Sequence, residues 1–376
     1  MTKITDVKTY LVEGRNRRRP GLLRWVLVQV ETDEGIIGLG DATNWPHSDL
    51  IVAAFNCQRE HVIGQNPFDI ERLWRTMYGA LGPLGPGGVQ VSAICGIESA
   101  CWDIIGQATG QPIYNLIGGR CWDKLRLYAN AWFYDAAFTP DAYAKAAERV
   151  VEMGFTALKF DPLPTPLRGG MNRDISREEA RYAYRMVEAV RKVVGPDIDI
   201  AVELHGRLNT PSAIRVCRMM EDLDPLFCEE PVPAENTAAM AKVAAAVNVP
   251  ICAGEHLYAR QGFREVLERQ SVDIVMPDIV RTGGISESRK IAAMAETYYI
   301  PFAPHNPNSP VSSLVSLHTC IGVPNFLILE FFALGVPWRD EIIEPALKIE
   351  NGYLIPPTGP GMGAKLNVDV ATKHAG

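Results

Sequence analysis

The stretch Leu226-Phe227-Cys228-Glu229-Glu230-Pro231 is followed by a helical pattern over Asn236–Val247, and then by Pro250-Ile251-Cys252-Ala253-Gly254-Glu255-His256. Each flank is a short apolar run closed by an acid. A strand, a crossover helix and a second, parallel strand account for that texture. Working outward, the same beat recurs upstream at Leu125–Ala131, Ala157–Phe160 and Ile198–Val202. Downstream it returns at Asp273–Met276, Pro301–Ala303 and Phe326–Leu329. Helical spacing fills the intervals, as over Asp141–Met153, Arg177–Val194 and Gly284–Glu296. Eight such beats predict a (β/α) barrel. A doubly wound open sheet is the alternative, but no G-x-G-x-x-G follows an early strand, and eight beats exceed its usual five or six.

The residues that end the runs are polar. They are Lys159 and Asp161, Glu203 with His205, Glu229, Glu255, Asp278, His305 and Glu330. The steps from Glu203 onward are 26, 26, 23, 27 and 25 residues, about one βα unit each. Every one of these groups is therefore expected at the same C-terminal mouth. A single acid there reads equally well as a helix N-cap or a solvated loop residue. Their recurrence points elsewhere, because converging charges repel and desolvate one another unless something binds among them. Glu203, Glu229 and Glu255 form an oxygen-only set suited to Mg²⁺. Such an ion makes the C–H beside a bound carboxylate more acidic. Asp278 and His305 end consecutive strands, so Asp278 can orient His305 as a base. Glu330 could donate a hydrogen bond to the developing enediolate if it stays protonated. His205 can protonate a departing hydroxide, and loss of α-H and β-OH is a dehydration.

The first part of the chain has another texture. Trp25–Thr32 meets the turn Asp33-Glu34-Gly35, and Ile36–Ala42 returns. Helical spacing runs from Ser48 to about Gly118, interrupted by the Gly/Pro loop Leu81–Gly88, expected to be mobile. Strands followed by helices predict a separate α+β domain. The 376 residues suit a barrel of about 250 plus such a companion. Net charge is −7, which excludes nucleic acid or an anionic membrane as a partner class. The one basic run, Arg15, Arg17, Arg18 and Arg19, reads as solvated, or as a loop that meets an anionic ligand. Eight scattered cysteines without metal-ligand spacing fit reduced thiols. The N-terminus lacks a signal-peptide pattern, and no apolar stretch reaches membrane length. A cytoplasmic protein is expected.

The chain resembles the enolase superfamily, mandelate racemase subgroup, and within it the acid-sugar dehydratases of the galactonate and gluconate type. The motifs that carry this are Val202-Glu203-Leu204-His205-Gly206-Arg207, Glu229-Glu230-Pro231, Ala253-Gly254-Glu255-His256, Asp278 with Gly283-Gly284, Pro304-His305, Glu330 and the closing Pro360-Gly361-Met362-Gly363. The resemblance implies a (β/α)7β-type modified TIM barrel under an N-terminal α+β capping domain. Expected bounds are 1–122 for the cap, 123–345 for the barrel and 346–376 for a segment returning to the cap. It implies Mg²⁺ on Glu203, Glu229 and Glu255, the base dyad Asp278–His305, Glu330 on the enolate and His205 as the general acid. It further implies a homo-oligomer, and capping loops near Arg17–Trp25 and Asn44–His47 that read a small sugar acid. There are departures. Glu203 stands where aspartate is common, and Lys159-Phe160-Asp161 carries an acid where the racemases have a second lysine. Lys159 then either neutralises the substrate carboxylate or pairs with Asp161. No lysine closely follows Asp278, unlike the cycloisomerase branch. Glu230 is expected to orient a ligand, and His256 either to stack or hydrogen-bond near Glu255 or to be structural. Two other readings stay open: a racemase or epimerase of an α-hydroxy acid, and a non-catalytic barrel used for binding or assembly.

Overall fold

The computed structural model describes residues 2–16, 19–44, 48–82, 87–164, 173–333 and 335–376, with the side chains of 15, 16 and 19–22 left aside. The expectations for the Arg15–Arg19 side chains, for the 45–47 part of the capping loop and for most of the Gly/Pro loop lie outside these residues.

Three strands, β1 (Ile4–Asn16), β2 (Arg19–Thr32) and β3 (Ile37–Asp41), form an antiparallel sheet in that order. The predicted turn joins β2 to β3, with Gly35 at φ +78°, where a residue lacking Cβ is favoured. β2 is apolar on both faces for a reason: Val26, Val28 and Val30 pack with the domain's own helices, while Leu23, Trp25 and Leu27 join the barrel's core. The helices are α1 (Ser48–Val62), α2 (Ile70–Ala80), α3 (Gly88–Thr109) and the single turn α4 (Ile113–Leu116). α3 is buried almost all round, wedged between the sheet and the barrel. It comes so close to β3 that a β-carbon on Gly38 would lie 2.0 Å from the Ala100 carbonyl oxygen, and one on Gly40 2.1 Å from that of Gly96. Only glycine permits that contact.

Next comes the barrel. β4 (Leu125–Asn130), α5 (Pro140–Glu152), β5 (Ala157–Phe160), α6 (Arg177–Val194), β6 (Asp199–Glu203), α7 (Thr210–Met220), β7 (Phe227–Glu229), α8 (Thr237–Ala244), β8 (Ile251–Ala253), α9 (Ala259–Glu268) and β9 (Ile274–Val275) alternate. They lead to α10 (Ile279–Thr282), α11 (Gly284–Glu296), α12 (Pro310–Cys320) and β10 (Leu329–Phe332). β4 to β9 pair in parallel in sequence order. Single bridges Val275↔Phe302 and Phe302↔Phe326 carry the ring on, and β10 pairs in parallel with β4 to close it. The seventh expected strand is thus reduced to a bridge at Phe302, since Pro301 and Pro304 bracket it and supply no N–H. Helix ends follow local chemistry. Ser176 and Glu179 make a reciprocal capping box on α6, and Thr139, Asn209 and Ser309 cap α5, α7 and α12, each before a proline-containing first turn.

Inside the ring, Tyr128, Ala157, Ala201, Phe227, Cys252, Met276, Ala303 and Ile328 form one apolar plug. Strand side chains alternate, so residues two further on also face inward, above that plug. For seven of these strands the residues so placed are Asn130, Lys159, Glu203, Glu229, Asp278, His305 and Glu330. On β8 the register slips by one through Gly254, at φ +145°, and Glu255 follows. Glu330 consequently lies within β10, not beyond the end of a strand, with Leu329 and Phe331 turned to the outer core.

Short strands β11 (Ile343–Glu344), β12 (Ile349–Glu350), β13 (Tyr353–Leu354) and β14 (Lys365–Leu366) precede α13 (Val368–Lys373). The β12–β13 hairpin adds antiparallel to β4. Beyond it, the Met362 N–H donates to Asp103 of α3 at 2.6 Å, and Ala375 bridges to Val12 of β1. The seam between the domains is polar as well as apolar. Glu98 of α3 accepts from the backbone N–H of Ile285 and Ser286, both at 2.9 Å, from Ser286 Oγ at 2.6 Å and from Trp102 Nε1 at 2.9 Å. A carboxylate thereby caps the positive end of α11. All eight cysteines are free; six are buried, while Cys57 and Cys121 are exposed.

Candidate active site

The inward-facing residues above the plug meet at one end of the barrel, and every one except Asn130 is at least nine-tenths buried. Lys159 Nζ donates to Glu229 Oε2 at 2.6 Å and lies 3.2 Å from both Glu203 Oε2 and Glu330 Oε1. Burial opposes its charge, but Glu229 and Glu330 outweigh that and hold the ammonium well above the ordinary lysine range. Of the two roles open to Lys159, the pair with Asp161 does not form. Asp161 instead binds His205 Nδ1 at 3.1 Å and Arg207 at 2.5 Å.

The expected contact between Asp278 and His305 is present: His305 Nδ1 donates to Asp278 Oδ2 at 2.8 Å across the Asp278↔His305 bridge. Asn308 Nδ2 donates to the same Asp278 oxygen at 3.1 Å, and Val280 N–H donates to the other at 3.1 Å. On its far side, His305 Nε2 contacts Glu255 Oε2 and lies 3.8 Å from Glu330 Oε2. Burial alone would lower the imidazole, but Glu255 and Glu330 drive it up to about 10. Held there it is a cation, and accepting a proton requires Glu255 to let go. Glu255 in turn is held well below the carboxylate range by His305, against the burial that favours its neutral form.

Glu330 departs from expectation. Burial would protonate it, yet Lys159 and then His305 lower it. It accepts from Asn130 Nδ2 at 2.5 Å and from Asn306 N–H at 2.8 Å. It is an ionised acceptor here, not a donor. The buried Lys159 ammonium, 3.2 Å away, opposes the protonation that crowding by acids alone would favour.

Do the acids suit a dication? Burial and then Glu203 push Glu229 well above the usual carboxylate range, and Glu229 Oε1 is buried without a hydrogen-bond partner. An orphaned, electron-rich oxygen beside two further carboxylates fits a hard cation. The oxygens of Glu203, Glu229 and Glu255 are not gathered on one point, however. Lys159 has drawn the first two, and His305 has drawn the third. Among the described residues, the group whose ligand atoms lie within 4.8 Å of one another is Glu230, Glu255 and His256. His256 Nδ1 donates to Glu230 Oε2 at 2.7 Å, and its imidazole is raised to about 9 by Glu230 and Glu255 despite the opposing burial. Glu255 thus belongs to both constellations. Three participants went unread in the sequence: Asn130, Asn306 and Asn308. Counting two residues on from the apolar plug would have found Asn130.

Comparison with known proteins gives a consistent result. Residues 142–370 match the enolase C-terminal domain-like family, and residues 20–118 match the mandelate racemase / muconate lactonizing enzyme N-terminal domain. A D-xylonate dehydratase of Haloferax volcanii is 37% identical over 99% of this chain and 89% of its own length. A D-galactonate dehydratase of Pectobacterium atrosepticum is 32% identical over 99% and 94%. Among solved structures, a member of the enolase superfamily from Salmonella Typhimurium superposes with a TM-score of 0.93 at 33% identity, covering 99% of this chain and 98% of its own.

Proposed function

Because this chain belongs to the mandelate racemase / muconate lactonizing enzyme family of the enolase superfamily, we propose that it is a hydro-lyase that dehydrates a sugar acid, an aldonate of the xylonate, galactonate or gluconate kind, to the 2-keto-3-deoxy acid. The observation that carries this reading is the Asp278–His305 pair, set at 2.8 Å beside a carboxylate cluster with an orphaned oxygen. Glu203, Glu229 and Glu255 are the residues that would hold Mg²⁺, and the ion would supply charge stabilisation to the substrate carboxylate as its α-carbon loses a proton. In this reading residues 1–122 are the cap, 123–345 the catalytic barrel and 346–376 the returning segment. Free thiols and the lack, among the described residues, of a helix long and apolar enough to cross a membrane fit a cytoplasmic enzyme.

His305 Nε2 takes the C2 proton once Glu255 no longer holds that nitrogen. Asp278 keeps Nδ1–H engaged, so the ring presents Nε2 and no other atom. The C2 electron pair forms the C2=C3 bond, and the C3–O bond breaks. His205 delivers the proton that turns the departing hydroxide into water. The enol then tautomerises to the ketone. Lys159 and the Asn130 and Asn306 donors keep Glu330 ionised and fixed at the pocket wall. A racemase would need a second free base on β5. Lys159 is bound by three carboxylates, and Asp161 stands at the other position, so dehydration is favoured.

The test is incubation with D-xylonate, D-galactonate and D-gluconate in MgCl₂, read by formation of 2-keto acid. Keto product is expected from at least one of them, abolished by EDTA and lowered about 10²–10⁴-fold in His305→Asn. Solvent-deuterium exchange at C2 without keto product would make this a racemase or epimerase instead.

A further inference from the structure

We infer that Asp161 is the positioning residue of the acid half of the site: through Nδ1 it sets the ring of His205 so that Nε2 faces the leaving hydroxyl, as Asp278 does for His305. The inference rests on the dehydration reading above. Two Asp–His pairs with the same polarity occupy one rim. Asp278 Oδ2 accepts from His305 Nδ1 at 2.8 Å, and Asp161 Oδ2 accepts from His205 Nδ1 at 3.1 Å. The two residues of each pair come from neighbouring strand ends, with β5 and β6 hydrogen-bonded side by side in the second case.

Asp161 is itself anchored. Its Oδ1 accepts from Arg207 at 2.5 Å and from the Leu163 N–H at 3.0 Å, while Arg207 Nε donates to the Leu204 carbonyl at 3.1 Å. The His205 backbone is held as tightly. It lies at φ +49°, followed by Gly206 at +61°, and a non-glycine residue keeps such a conformation only where its surroundings enforce it. Here Glu203 Oε1 accepts the His205 N–H at 2.7 Å, and the Glu230 carbonyl accepts the Gly206 N–H at 2.6 Å. The backbone thus places the ring, and Asp161 decides which nitrogen looks out. Among the described residues Nε2 has no hydrogen-bond partner, and the side chain is 32% exposed. That nitrogen is therefore open to solvent and to a ligand in the mouth of the barrel.

In the step concerned, the C3–O bond breaks with its electron pair on oxygen. The Nε2 proton joins that oxygen to give water, and the imidazole is left neutral with Nδ1–H still on Asp161. A leaving group that departs as a stable anion needs no such proton. That difference separates positioning of the acid from support of the fold.

The experiment compares wild type, His205→Asn and Asp161→Asn, each with MgCl₂, on whichever aldonate the wild type turns over and on its C3-fluoro analogue, with C2 deuterium exchange as a third readout. Expected for Asp161→Asn is a kcat loss of about 10–10²-fold on the hydroxy acid, with KM little changed and with fluoride release and C2 exchange near wild type. His205→Asn should show the same split, with the larger loss. Asp161→Glu, which keeps the acceptor, should recover part of kcat. Equal loss on both substrates in Asp161→Asn would overturn the inference and make Asp161 structural. Unchanged turnover in Asp161→Asn alongside a crippled His205→Asn would overturn it too. If His205→Asn itself dehydrates normally, the general-acid assignment fails first.

Discussion

Replacing Lys159 by methionine removes one charge and little volume from the most crowded electrostatic position in the barrel. Its ammonium lies 2.6 Å from Glu229 and 3.2 Å from Glu203 and Glu330. At an effective dielectric of about 20, the nearest contact is a gross attraction of about 6 kcal/mol and each of the others about 5 kcal/mol. Desolvating the lysine and its partners consumes most of that. What the substitution exposes is a trio of buried carboxylates, of which Glu330 keeps a cationic neighbour, His305 at 3.8 Å, and breaking a buried ion pair in this way costs about 3–5 kcal/mol. Unfolding entropy near 2.1 cal/mol/K per residue gives this chain about 0.8 kcal/mol/K, so Tm should fall by about 4–6 °C in EDTA. Mg²⁺ at about a hundred times its Kd stabilises the native state by about 2.7 kcal/mol. The rise in Tm on adding MgCl₂ should be larger in Lys159→Met than in wild type, because the ion then also relieves the uncompensated acids. Scanning fluorimetry with and without MgCl₂ reads both effects. A variant within about 1 °C of wild type in EDTA, with the same Mg²⁺ response, would refute the claim that Lys159 neutralises the acids proposed to hold Mg²⁺.

Two further outcomes concern stability away from the chemistry. Glu98→Ala should cost about 3–5 kcal/mol, since it strips acceptors from the buried Ile285 N–H and the half-buried Ser286 N–H at the start of α11 as well as from the Ser286 hydroxyl and Trp102. Urea unfolding reads the loss, and a midpoint unchanged from wild type would show that the seam does not depend on this cap. His318 is fully buried, hydrogen-bonded to the Met362 carbonyl at 3.1 Å, and pushed by burial down to about 4. Its folded form binds fewer protons than its unfolded form between pH 4 and 6.5. Its contribution is therefore complete above pH 6.5 and falls by about 3 kcal/mol as pH drops toward 4. His318→Gln keeps a donor without titrating and should lose less stability between neutral pH and pH 4; parallel acid limbs would contradict this assignment.

The barrel was legible because its strands are short apolar runs at a nearly constant interval, and because the polar residue that ends each run falls on the inward face. The pairing inside the site was less so. Asp161 and His205 are 44 positions apart, and their meeting depends on a left-handed turn at a residue that is not glycine. Glu330 was expected to be protonated because a carboxyl among acids in a dry pocket should be. Lys159 reverses that, and no spacing rule says which of several acids a buried lysine will choose. Asn130 was readable in principle. It obeys the same two-residue step as its neighbours, but an amide does not draw the eye as a charge does.

The first sheet is finished from the far end of the chain. Ala375 bridges to Val12, the Gly376 N–H donates to the Leu11 carbonyl at 3.1 Å, and the His374 ring stacks on Trp338 at 4.1 Å. During synthesis, then, a nascent polypeptide that has emerged only through α4 has an unfinished outer strand and a central helix still wetted along the flank that the barrel will cover. Until the remaining residues arrive, the amino-terminal lobe has its own apolar cluster but lacks these closing contacts. Mutations in this tail should therefore surface as poor yield and aggregation in cells well before they register as altered catalysis.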